Sequence, residues 1–339
     1  MAVRVAMVGC GNRGVHQLGG LLRRMEQFQV VAVSDVDAPR MADAAQFLEA
    51  EPEPDQERLF ARRDVDAVVV ATGVRWHVPI ALAAVAAGKH VFIEKPLSDT
   101  AGQARKLADA ADAAGVVGLV GYQHRFNPTW VRLAELLPEI DPVQGLWTMQ
   151  RGPLNPQFFI PDPFGGIVDT TTHTLDLALW TMGLPPEGVV ANVRRGTIQH
   201  DRTIEYVSLI VDFAGGTRST TLVSSMFGVA LPNICQFAGS RGTAWSDDGR
   251  KLHIARHVGV KEPGARNPDG LTREDIETEN PGDTTTLMLA HFSDLIEGRA
   301  DRTHPRGCTL RQGAATAAVQ AATVIAAEEG RRVRLEDLD

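Results

Sequence analysis

The chain has 339 residues, of which 44% are hydrophobic and 22% are charged, and its formal net charge is −8. This composition excludes disordered and fibrous proteins, and the length predicts about two domains of roughly 150 residues each. The negative charge excludes a basic field for phosphate backbones, so we expect no nucleic-acid partner.

The cysteines and the apolar segments indicate a cytoplasmic protein. Cys10, Cys235 and Cys308 are far apart and show no C-x-x-C spacing, which predicts neither a disulfide framework nor a cysteine zinc site. The N-terminus runs directly into a strand-like segment without a basic leader. No apolar run approaches the ~20 residues that span a bilayer, so we expect no membrane partner.

Up to about residue 120, short β-branched runs alternate with Ala-rich helical segments. This alternation is typical of βαβ units and a parallel sheet. The predicted strands are 3–8, 30–34, 67–71, 90–93 and 116–120, and the predicted helices are 14–26, 40–50, 78–87 and 100–114.

Beyond residue 125 the pattern changes to a few helices followed by many strands. Gly215-Gly216 joins two alternating segments, which indicates an antiparallel sheet. The stretch 256–282 is polar and turn-rich, and we expect it to be a surface loop. The predicted helices are 129–137, 166–182, 284–297 and 309–328, and the predicted strands are 144–151, 189–195, 203–213, 217–225 and 233–238.

A glycine motif lies between the first strand and the first helix. Gly9, Gly11 and Gly14 form G-x-G-x-x-G, with Asn12 and Arg13 before the last glycine. The glycines permit a tight turn, a close approach of pyrophosphate and packing of helix on strand, and the helix N-terminus attracts the phosphates. The alternative is a glycine-rich turn that binds no ligand.

Two later strand ends support a dinucleotide site. The second strand ends in Asp35, where a carboxylate can accept hydrogen bonds from ribose hydroxyls. Because it would repel a 2′-phosphate, NAD is favoured over NADP, although Arg40 or Ser34 can soften this preference. Asp35 can alternatively be a turn or capping aspartate. The third strand leads into Thr72 and His77, which we expect to line the cofactor.

The segment VFIEKPLSD ends a strand that is apolar on both faces. Such a strand belongs inside a parallel sheet, and its carboxyl end lies where open α/β sheets bind ligands. The Lys95 ammonium can hold a substrate hydroxyl and stabilise developing negative charge, and Glu94 can orient it or contact the nicotinamide. Pro96 restricts the Lys95 backbone, and the sequence leaves open whether the peptide bond between the two residues is cis. The alternative is a solvated turn with a fortuitous Glu94–Lys95 pair.

Asp169 and His173 are four residues apart in a predicted helix, so they share one face. An unperturbed imidazole with a pKa of about 6.5 suits a general base at neutral pH, so the spacing fits an acid–base pair. Asp176 is a further candidate contact. A metal site is an alternative for the pair, but no third ligand is apparent, so we expect no metal. The other alternative is a helix histidine without chemistry.

Several motifs, in this order, resemble the Gfo/Idh/MocA family of nicotinamide-dependent sugar and inositol dehydrogenases. The likeness covers nearly the whole chain, and E-K-P and D-x-x-x-H are its most specific parts. Gly73 departs from the family, which commonly has proline there. The motifs are G-x-G-x-x-G, Asp35, ATGVRWH, AGKHVFIEKPLSD, GYQHRFNP and GGIVDTTTHTLDLALW.

The resemblance implies an α/β fold with an N-terminal Rossmann domain over 1–122. A second α/β domain over 123–339 is implied to carry a large open, mainly antiparallel sheet, through which homodimers or homotetramers form. The implied activity is NAD-dependent oxidation of a sugar, inositol or related polyol. Two alternatives stay open: an NAD-retaining glycoside hydrolase or lyase acting through transient oxidation, and a non-catalytic nucleotide-binding sensor.

The resemblance also implies roles for individual residues. Lys95 positions the reacting oxygen, His173 accepts the proton, and Asp169 binds substrate or tunes His173. From their positions rather than from the resemblance, Arg151 and Asn155, which follow the first strand of the second domain, are candidates to bind sugar hydroxyls. Gln123 and Arg125 are candidates to line the domain junction, and a structural role is the alternative for each of the four. The expected cofactor-binding residues are Gly9, Gly11, Asn12, Arg13, Gly14, Asp35, Arg40, Thr72, His77, Glu94, Lys95 and Gln123, and the expected substrate-binding residues are Lys95, Arg151, Asn155, Asp169 and His173.

Overall fold

The computed structural model describes most of the chain and divides it into two units. The first comprises Met1–Phe126 and Asp283–Ala317, and the second comprises Asn127–Gly282 and Ala318–Asp339. For residues 165–170, 195, 204 and 205, only the backbone is described. The described residues are 2–150, 152, 165–195, 204–225, 234–257, 270–279, 282–301 and 306–338.

The first unit contains a six-stranded parallel sheet. Its strands are β1 Val3–Val8, β2 Phe28–Ser34, β3 Glu51–Pro52, β4 Ala67–Val70, β5 His90–Ile93 and β6 Gly118–Val120. They lie in the order β3-β2-β1-β4-β5-β6. All of β4, and β5 from Val91 onward, is buried, because a parallel sheet is covered on both faces.

Helices connect these strands. Asp37 caps α2, since its side chain accepts a hydrogen bond from the Arg40 backbone N–H over 3.0 Å. Helix α1 ends four residues before the predicted end at 26, and the sequence did not predict β3 or α3. The helices are α1 (π-helical over Arg13–Gly19, then α-helical over Gly20–Leu22), α2 Ala38–Leu48, α3 Gln56–Ala61, α4 Val74–Ala86, α5 Ala101–Ala114 and a 3₁₀ turn at Gln123–Phe126.

A late segment of the chain packs in the first unit. Helix α8, Thr284–Ile296, places Phe292 edge-to-face against Phe92 of β5, with ring centroids 5.7 Å apart. The Cys308 carbonyl accepts a hydrogen bond from the Val120 N–H over 2.9 Å. The sequence predicts domains over 1–122 and 123–339, whereas packing assigns 283–317 to the first unit.

The second unit contains a nine-stranded sheet, in the order β14-β13-β12-β11-β7-β10-β9-β8-β15. Every pairing is antiparallel except β10 with β7, so the predicted α/β class with a mainly antiparallel second sheet is confirmed. Its strands are β7 Pro142–Gln150, β8 Pro186–Arg195, β9 Ile204–Phe213, β10 Ser219–Ser225, β11 Ile234–Gly239, β12 Gly242–Ser246, β13 Lys251–His257, β14 Leu271–Glu277 and β15 Val333–Arg334.

Helices cover one face of this sheet. They are α6 Pro128–Ile140, α7 Gly165–Met182 and the last part of α9 Leu310–Glu329. Trp147 of β7 is fully buried among them and packs edge-to-face against Trp130 of α6, with centroids 5.1 Å apart. None of the helices in the described ranges is both long and apolar enough to cross a membrane.

The opposite face of the sheet exposes apolar side chains. Burial alternates along β10 and β11, as expected for a sheet with one covered face. Val190, Ile210 and Ile234 remain 44%, 42% and 41% exposed. The register places Val190 beside Ile210, Ile210 beside Thr221, and Thr221 beside Leu146. We call this surface, defined by Val190, Ile210, Thr221, Leu146 and Ile234, the open face.

The prediction of a surface loop over 256–282 is wrong for β14. Its sequence, LTREDIE, carries no apolar alternation, yet it pairs antiparallel with β13. Charged side chains join the two strands across the register: Lys251 pairs with Glu277 at 3.1 Å, and His253 contacts Asp275 at 2.7 Å. Opposite charges across neighbouring strands stabilise pairing, and charged edges prevent association with other sheets.

Candidate functional site

Four motifs meet at one edge of the first sheet. Gly9, Ala71, Glu94 and Gly121 directly follow β1, β4, β5 and β6. Each donates its backbone N–H to the carbonyl of the last residue of the neighbouring strand, over 2.8 to 2.9 Å. The chain order reverses between β1 and β4, and this switch point is where open α/β sheets bind ligands.

The three glycines of the first motif have different surroundings. Gly9 has φ +100°, and a Cβ there would lie 2.5 Å from the Ala71 oxygen. A Cβ at Gly14 would lie 2.2 Å from the Gly9 oxygen. Among the described residues, a Cβ at Gly11 would meet no atom within 4 Å. Packing therefore requires glycine at 9 and 14, whereas Gly11 faces open space that a ligand can enter.

Asp35 holds the glycine loop. Its carboxylate is only 8% exposed and accepts hydrogen bonds from the backbone N–H groups of Cys10, over 2.6 Å, and Asp37, over 2.9 Å. The cap of α2 is Asp37, so the capping alternative for Asp35 is wrong. Arg40 lies 4.0 Å from Asp35 and closer, at 3.3 Å, to Asp37. A carboxylate thus borders the loop where an adenosine ribose would lie.

Arg13 joins the glycine loop to the E-K-P motif. Its Nε donates to Glu94 over 2.9 Å, and its other nitrogens donate to Gln17 over 2.5 Å and to Gln123 over 3.1 Å. The Glu94 side chain is only 5% exposed, and the Arg13 side chain is 30% exposed. A buried carboxylate needs such a partner because water no longer solvates it. Arg13 therefore binds both Glu94 and Gln123 at the predicted cofactor edge.

Replacing Arg13 with Met is expected to lower the free energy of unfolding by about 3 kcal/mol. This is the lower end of the range for a broken buried ion pair, because Arg13 is partly solvated. In the Arg13→Met background, Glu94→Gln should recover much of the loss by removing the uncompensated charge. Urea denaturation of the two single variants and the double variant measures this coupling.

Arg24, which is exposed, provides the matched control for the Arg13 and Glu94 variants. Arg24→Met should change the free energy of unfolding by less than about 0.5 kcal/mol. Additive losses from Arg13→Met and Glu94→Gln would contradict a direct stabilising pair.

The His77 ring is enclosed next to Lys95. It is only 2% exposed, with Nδ1 2.8 Å from the Pro96 oxygen and Nε2 3.0 Å from the Thr72 oxygen. Burial lowers the pKa of His77 below its ordinary value of 6.5. Both ring nitrogens thus contact backbone carbonyls. The Lys95–Pro96 bond is cis, and the Lys95 side chain is half-buried.

Acidification is expected to remove the stabilisation that His77 contributes. Because the pKa is lower in the folded state, the unfolded chain binds the extra proton first. The loss starts near pH 6.5, the ordinary value, and continues down to the folded pKa, with a slope of at most about 1.4 kcal/mol per pH unit. The measurement is urea unfolding of the wild type and His77→Gln at several pH values from neutral to mildly acidic.

The difference in the free energy of unfolding between the two proteins isolates the contribution of His77, because the carboxylates are common to both and their contributions cancel. The stability advantage of the wild type over His77→Gln should shrink as the pH falls. An advantage that grows on acidification would show a raised pKa instead.

In the second unit, α7 carries the predicted acid–base pair. Asp169 and His173 are four residues apart in this helix, although the Asp169 side chain lies outside the described residues. Between 171 and 182, His173 and Trp180 are half-buried and share one helical stripe, whereas the other residues are buried. Asp176 is buried at 1% exposure. Arg151 and Asn155 also lie outside the described residues.

Two further observations bear on the predictions. Among the described residues, no three His, Cys, Asp or Glu side chains are grouped as metal ligands. Arg125, a candidate for the domain junction, is buried within the first unit and donates to Gln312 over 2.8 Å.

Comparison with known proteins identifies the family. A model described as an oxidoreductase family with an NAD-binding Rossmann fold matches residues 3–122, and the GFO/IDH/MocA C-terminal domain matches residues 139–245. An inositol 2-dehydrogenase of Acidiphilium cryptum is 31% identical over 253 residues, covering 72% of this chain and 74% of that protein. The chain belongs to the GFO/IDH/MocA oxidoreductase family. The predicted resemblance is confirmed.

Other members of the GFO/IDH/MocA family extend the comparison. An inositol 2-dehydrogenase of Acidothermus cellulolyticus is 33% identical over 220 residues. This match covers 62% of this chain and 64% of that protein, so the chain spans just under two thirds of its length. The crystal structure of GenD2 from gentamicin A biosynthesis, in complex with NAD, is 25% identical. It aligns over 98% of this chain and 96% of that chain, with a TM-score of 0.76.

Residues 3–122 therefore match the NAD-binding Rossmann fold of the GFO/IDH/MocA family, and NAD is the cofactor that the sequence predicted. The residues of this segment fit this cofactor. Gly11 leaves space for the pyrophosphate, and Asp35 places a carboxylate next to the glycine loop. The contacts of the other predicted cofactor residues with NAD stay predictions.

Sequence reasoning did not find how Arg13 and His77 are held. Arg13 was expected to bind the cofactor, and it pairs with Glu94, which is 81 positions further along the chain. A signal was present, since Arg13 is a cation inside the glycine motif and Glu94 is an acid ending an apolar strand. His77 carries no such signal, because its partners are backbone carbonyls.

Proposed function

We propose that this protein is an NAD-dependent dehydrogenase that oxidises a secondary alcohol of a sugar, inositol or related polyol. One observation carries the proposal. Lys95 follows a buried strand at the same sheet edge as the glycine loop, which is the edge where open α/β sheets bind ligands, and this position supports a role for its ammonium beside a nicotinamide and a substrate.

The proposed chemistry removes a hydride and a proton from a carbinol group. NAD, when bound, supplies the hydride acceptor. The Lys95 ammonium donates a hydrogen bond to the substrate oxygen and stabilises the negative charge that develops there. His173 accepts the hydroxyl proton, and Asp169, one turn earlier, binds substrate or orients the imidazole. The products are a ketone, NADH and a proton that His173 releases to water.

The names of relatives support the substrate class. Proteins of Acidothermus cellulolyticus and Acidiphilium cryptum are named inositol 2-dehydrogenases, so myo-inositol is the first substrate to test. These names also favour net oxidation over transient oxidation by a hydrolase and over nucleotide sensing. Arg151 and Asn155 remain proposed contacts for substrate hydroxyls.

A substrate screen tests the proposal. Inositols, sugars and their keto forms are supplied with NAD or NADP, and the change in NADH or NADPH absorbance is followed. We expect turnover with at least one polyol and preference for NAD, because Asp35 repels a 2′-phosphate. A protein that binds NAD but neither oxidises nor reduces any of these compounds would refute the function.

We further propose that copies of the chain associate through the open face. Its centre is apolar, with Val190, Ile210 and Ile234 each more than 40% exposed. A specific interface buries roughly 800 Å² on each partner, an area that a broad sheet can provide. A symmetric pair would place the same face of both copies together.

Replacing Ile210 with Asp is expected to dissociate the oligomer, because a charge would be buried at the centre of the interface. Sedimentation or light scattering measures the mass. Leu287, on α8, is 44% exposed and outside the open face, so Leu287→Asp is the matched control. A wild-type protein that is monomeric at micromolar concentration would refute the association.

We also propose a cytoplasmic location. Cys10, Cys235 and Cys308 are all buried, and none of these three forms a disulfide, which suits a reducing compartment. Burial raises the pKa of Cys10 and Cys235 to about 12, so these thiols stay protonated. Recovery of the protein outside the cytoplasmic fraction of fractionated cells would refute the location.

A further inference from the structure

The backbone around Lys95 is held by the buried ring of His77. The Pro96 carbonyl, directly after Lys95, lies 2.8 Å from Nδ1, and the Thr72 carbonyl lies 3.0 Å from Nε2. Thr72 belongs to the loop after β4, whereas Pro96 follows β5. The ring therefore bridges two loops that both emerge from the cofactor edge of the sheet.

The two carbonyls cannot both receive a hydrogen bond from a neutral ring. A neutral imidazole has one N–H, and its other nitrogen carries a lone pair that repels a carbonyl oxygen. Burial favours this neutral form. The contact to Pro96 is the shorter of the two, which favours an N–H on Nδ1. Thr72 then faces the unprotonated Nε2.

We propose that His77 is a positioning residue for Lys95: its Nδ1–H donates to the Pro96 carbonyl and fixes the backbone from which the Lys95 ammonium projects. The inference rests on the proposed function, in which Lys95 holds the reacting oxygen. Misplacing a catalytic group by about 1 Å can cost about 100-fold in rate. A single hydrogen bond next to Lys95 can therefore affect the rate, although His77 itself does not contact the substrate.

Two substitutions separate the two ring contacts. The amide nitrogen of asparagine is as many bonds from Cβ as Nδ1 is, so His77→Asn keeps a donor towards Pro96. The amide nitrogen of glutamine matches Nε2 in the same way, so His77→Gln keeps a donor towards Thr72. Both variants replace the ring with a neutral amide, and each serves as the control for the other.

The kinetic readout is kcat with the polyol that the wild type oxidises. We expect kcat of His77→Asn to exceed that of His77→Gln at least about tenfold, with similar NAD affinity for both variants. If the role of His77 were merely structural, both variants would lose stability, but kcat of His77→Asn would not exceed that of His77→Gln. Equal kcat values, or a higher value for His77→Gln, would overturn the proposal.

A measurement on the wild type avoids any folding defect of the variants. Nitrogen-15 NMR of the histidine rings distinguishes a proton on Nδ1 from one on Nε2. We expect His77 to carry its proton on Nδ1, and a proton on Nε2 would overturn the proposal.

A readout without substrate separates this inference from the proposed function. The chain has only five lysines, so reductive methylation with carbon-13 yields few NMR signals, and Lys95→Arg assigns that of Lys95. The Lys95 signal should move in His77→Gln and stay near its wild-type position in His77→Asn. If it does so while no polyol is turned over, the function fails and the positioning stands. If a polyol is turned over but the signal is the same in both variants, the positioning fails and the function stands.

Discussion

Replacing Lys95 with Met should lower kcat at least about 100-fold while changing NAD affinity by less than about threefold. Positioned acid–base and electrostatic groups contribute roughly 10² to 10⁴ in rate, and the ammonium is proposed to act on the substrate oxygen. Met keeps much of the side-chain length, so packing around the half-buried stem is retained. Steady-state kinetics with the active polyol and NAD titration by fluorescence measure the two effects.

Lys106 is the matched control for this substitution. It is exposed on α5, and Lys106→Met should leave kcat within about twofold of the wild type. Activity of Lys95→Met within about tenfold of wild type, equivalent to about 1.4 kcal/mol of barrier, would show that Lys95 does not act on the reacting oxygen.

Replacing Gly11 with Ala should weaken NAD binding about 100-fold, or about 2.8 kcal/mol, without destabilising the free protein. A methyl group at this position meets no described atom within 4 Å, so the fold has no need of the glycine. The same methyl group would occupy the space through which the pyrophosphate approaches the loop. Calorimetric titration with NAD and thermal unfolding without it measure the two quantities.

Gly20, in the helix that follows the glycine loop, provides the comparison. A Cβ there would meet its nearest atom at 3.8 Å, an ordinary contact, so Gly20→Ala should keep NAD affinity. A Gly11→Ala protein that binds NAD like the wild type would show that the pyrophosphate does not approach this loop. A protein that loses NAD only because it unfolds would show that packing, not the ligand, requires Gly11.

Local patterns in the sequence determined the architecture around the cofactor. The strand, glycine motif and helix at residues 3–22 could be predicted because each depends on residues close in the chain. The convergence of Asp35, Thr72 and Lys95 at one edge also followed, since parallel strands place their carboxyl ends on the same side. The confirmed family and its NAD-binding domain depend on these same motifs.

Contacts between distant segments were decided only by the tertiary structure. The pairing of Arg13 with Glu94 and the enclosure of His77 by two carbonyls depend on side-chain positions that no local period specifies. The packing of 283–317 in the first unit and the strand at 271–277 are likewise long-range.

The physical reason is the range over which each signal acts. Alternation of apolar and polar residues reports which face of a strand or helix is buried, and turn residues report where the chain bends. Neither reports which buried carboxylate needs a cation or which carbonyl needs an N–H, because these needs arise only when the folded chain excludes water from them. The sequence therefore determined the elements that carry a local period, and only the fold decided the strand at 271–277 and the partners of the buried polar groups.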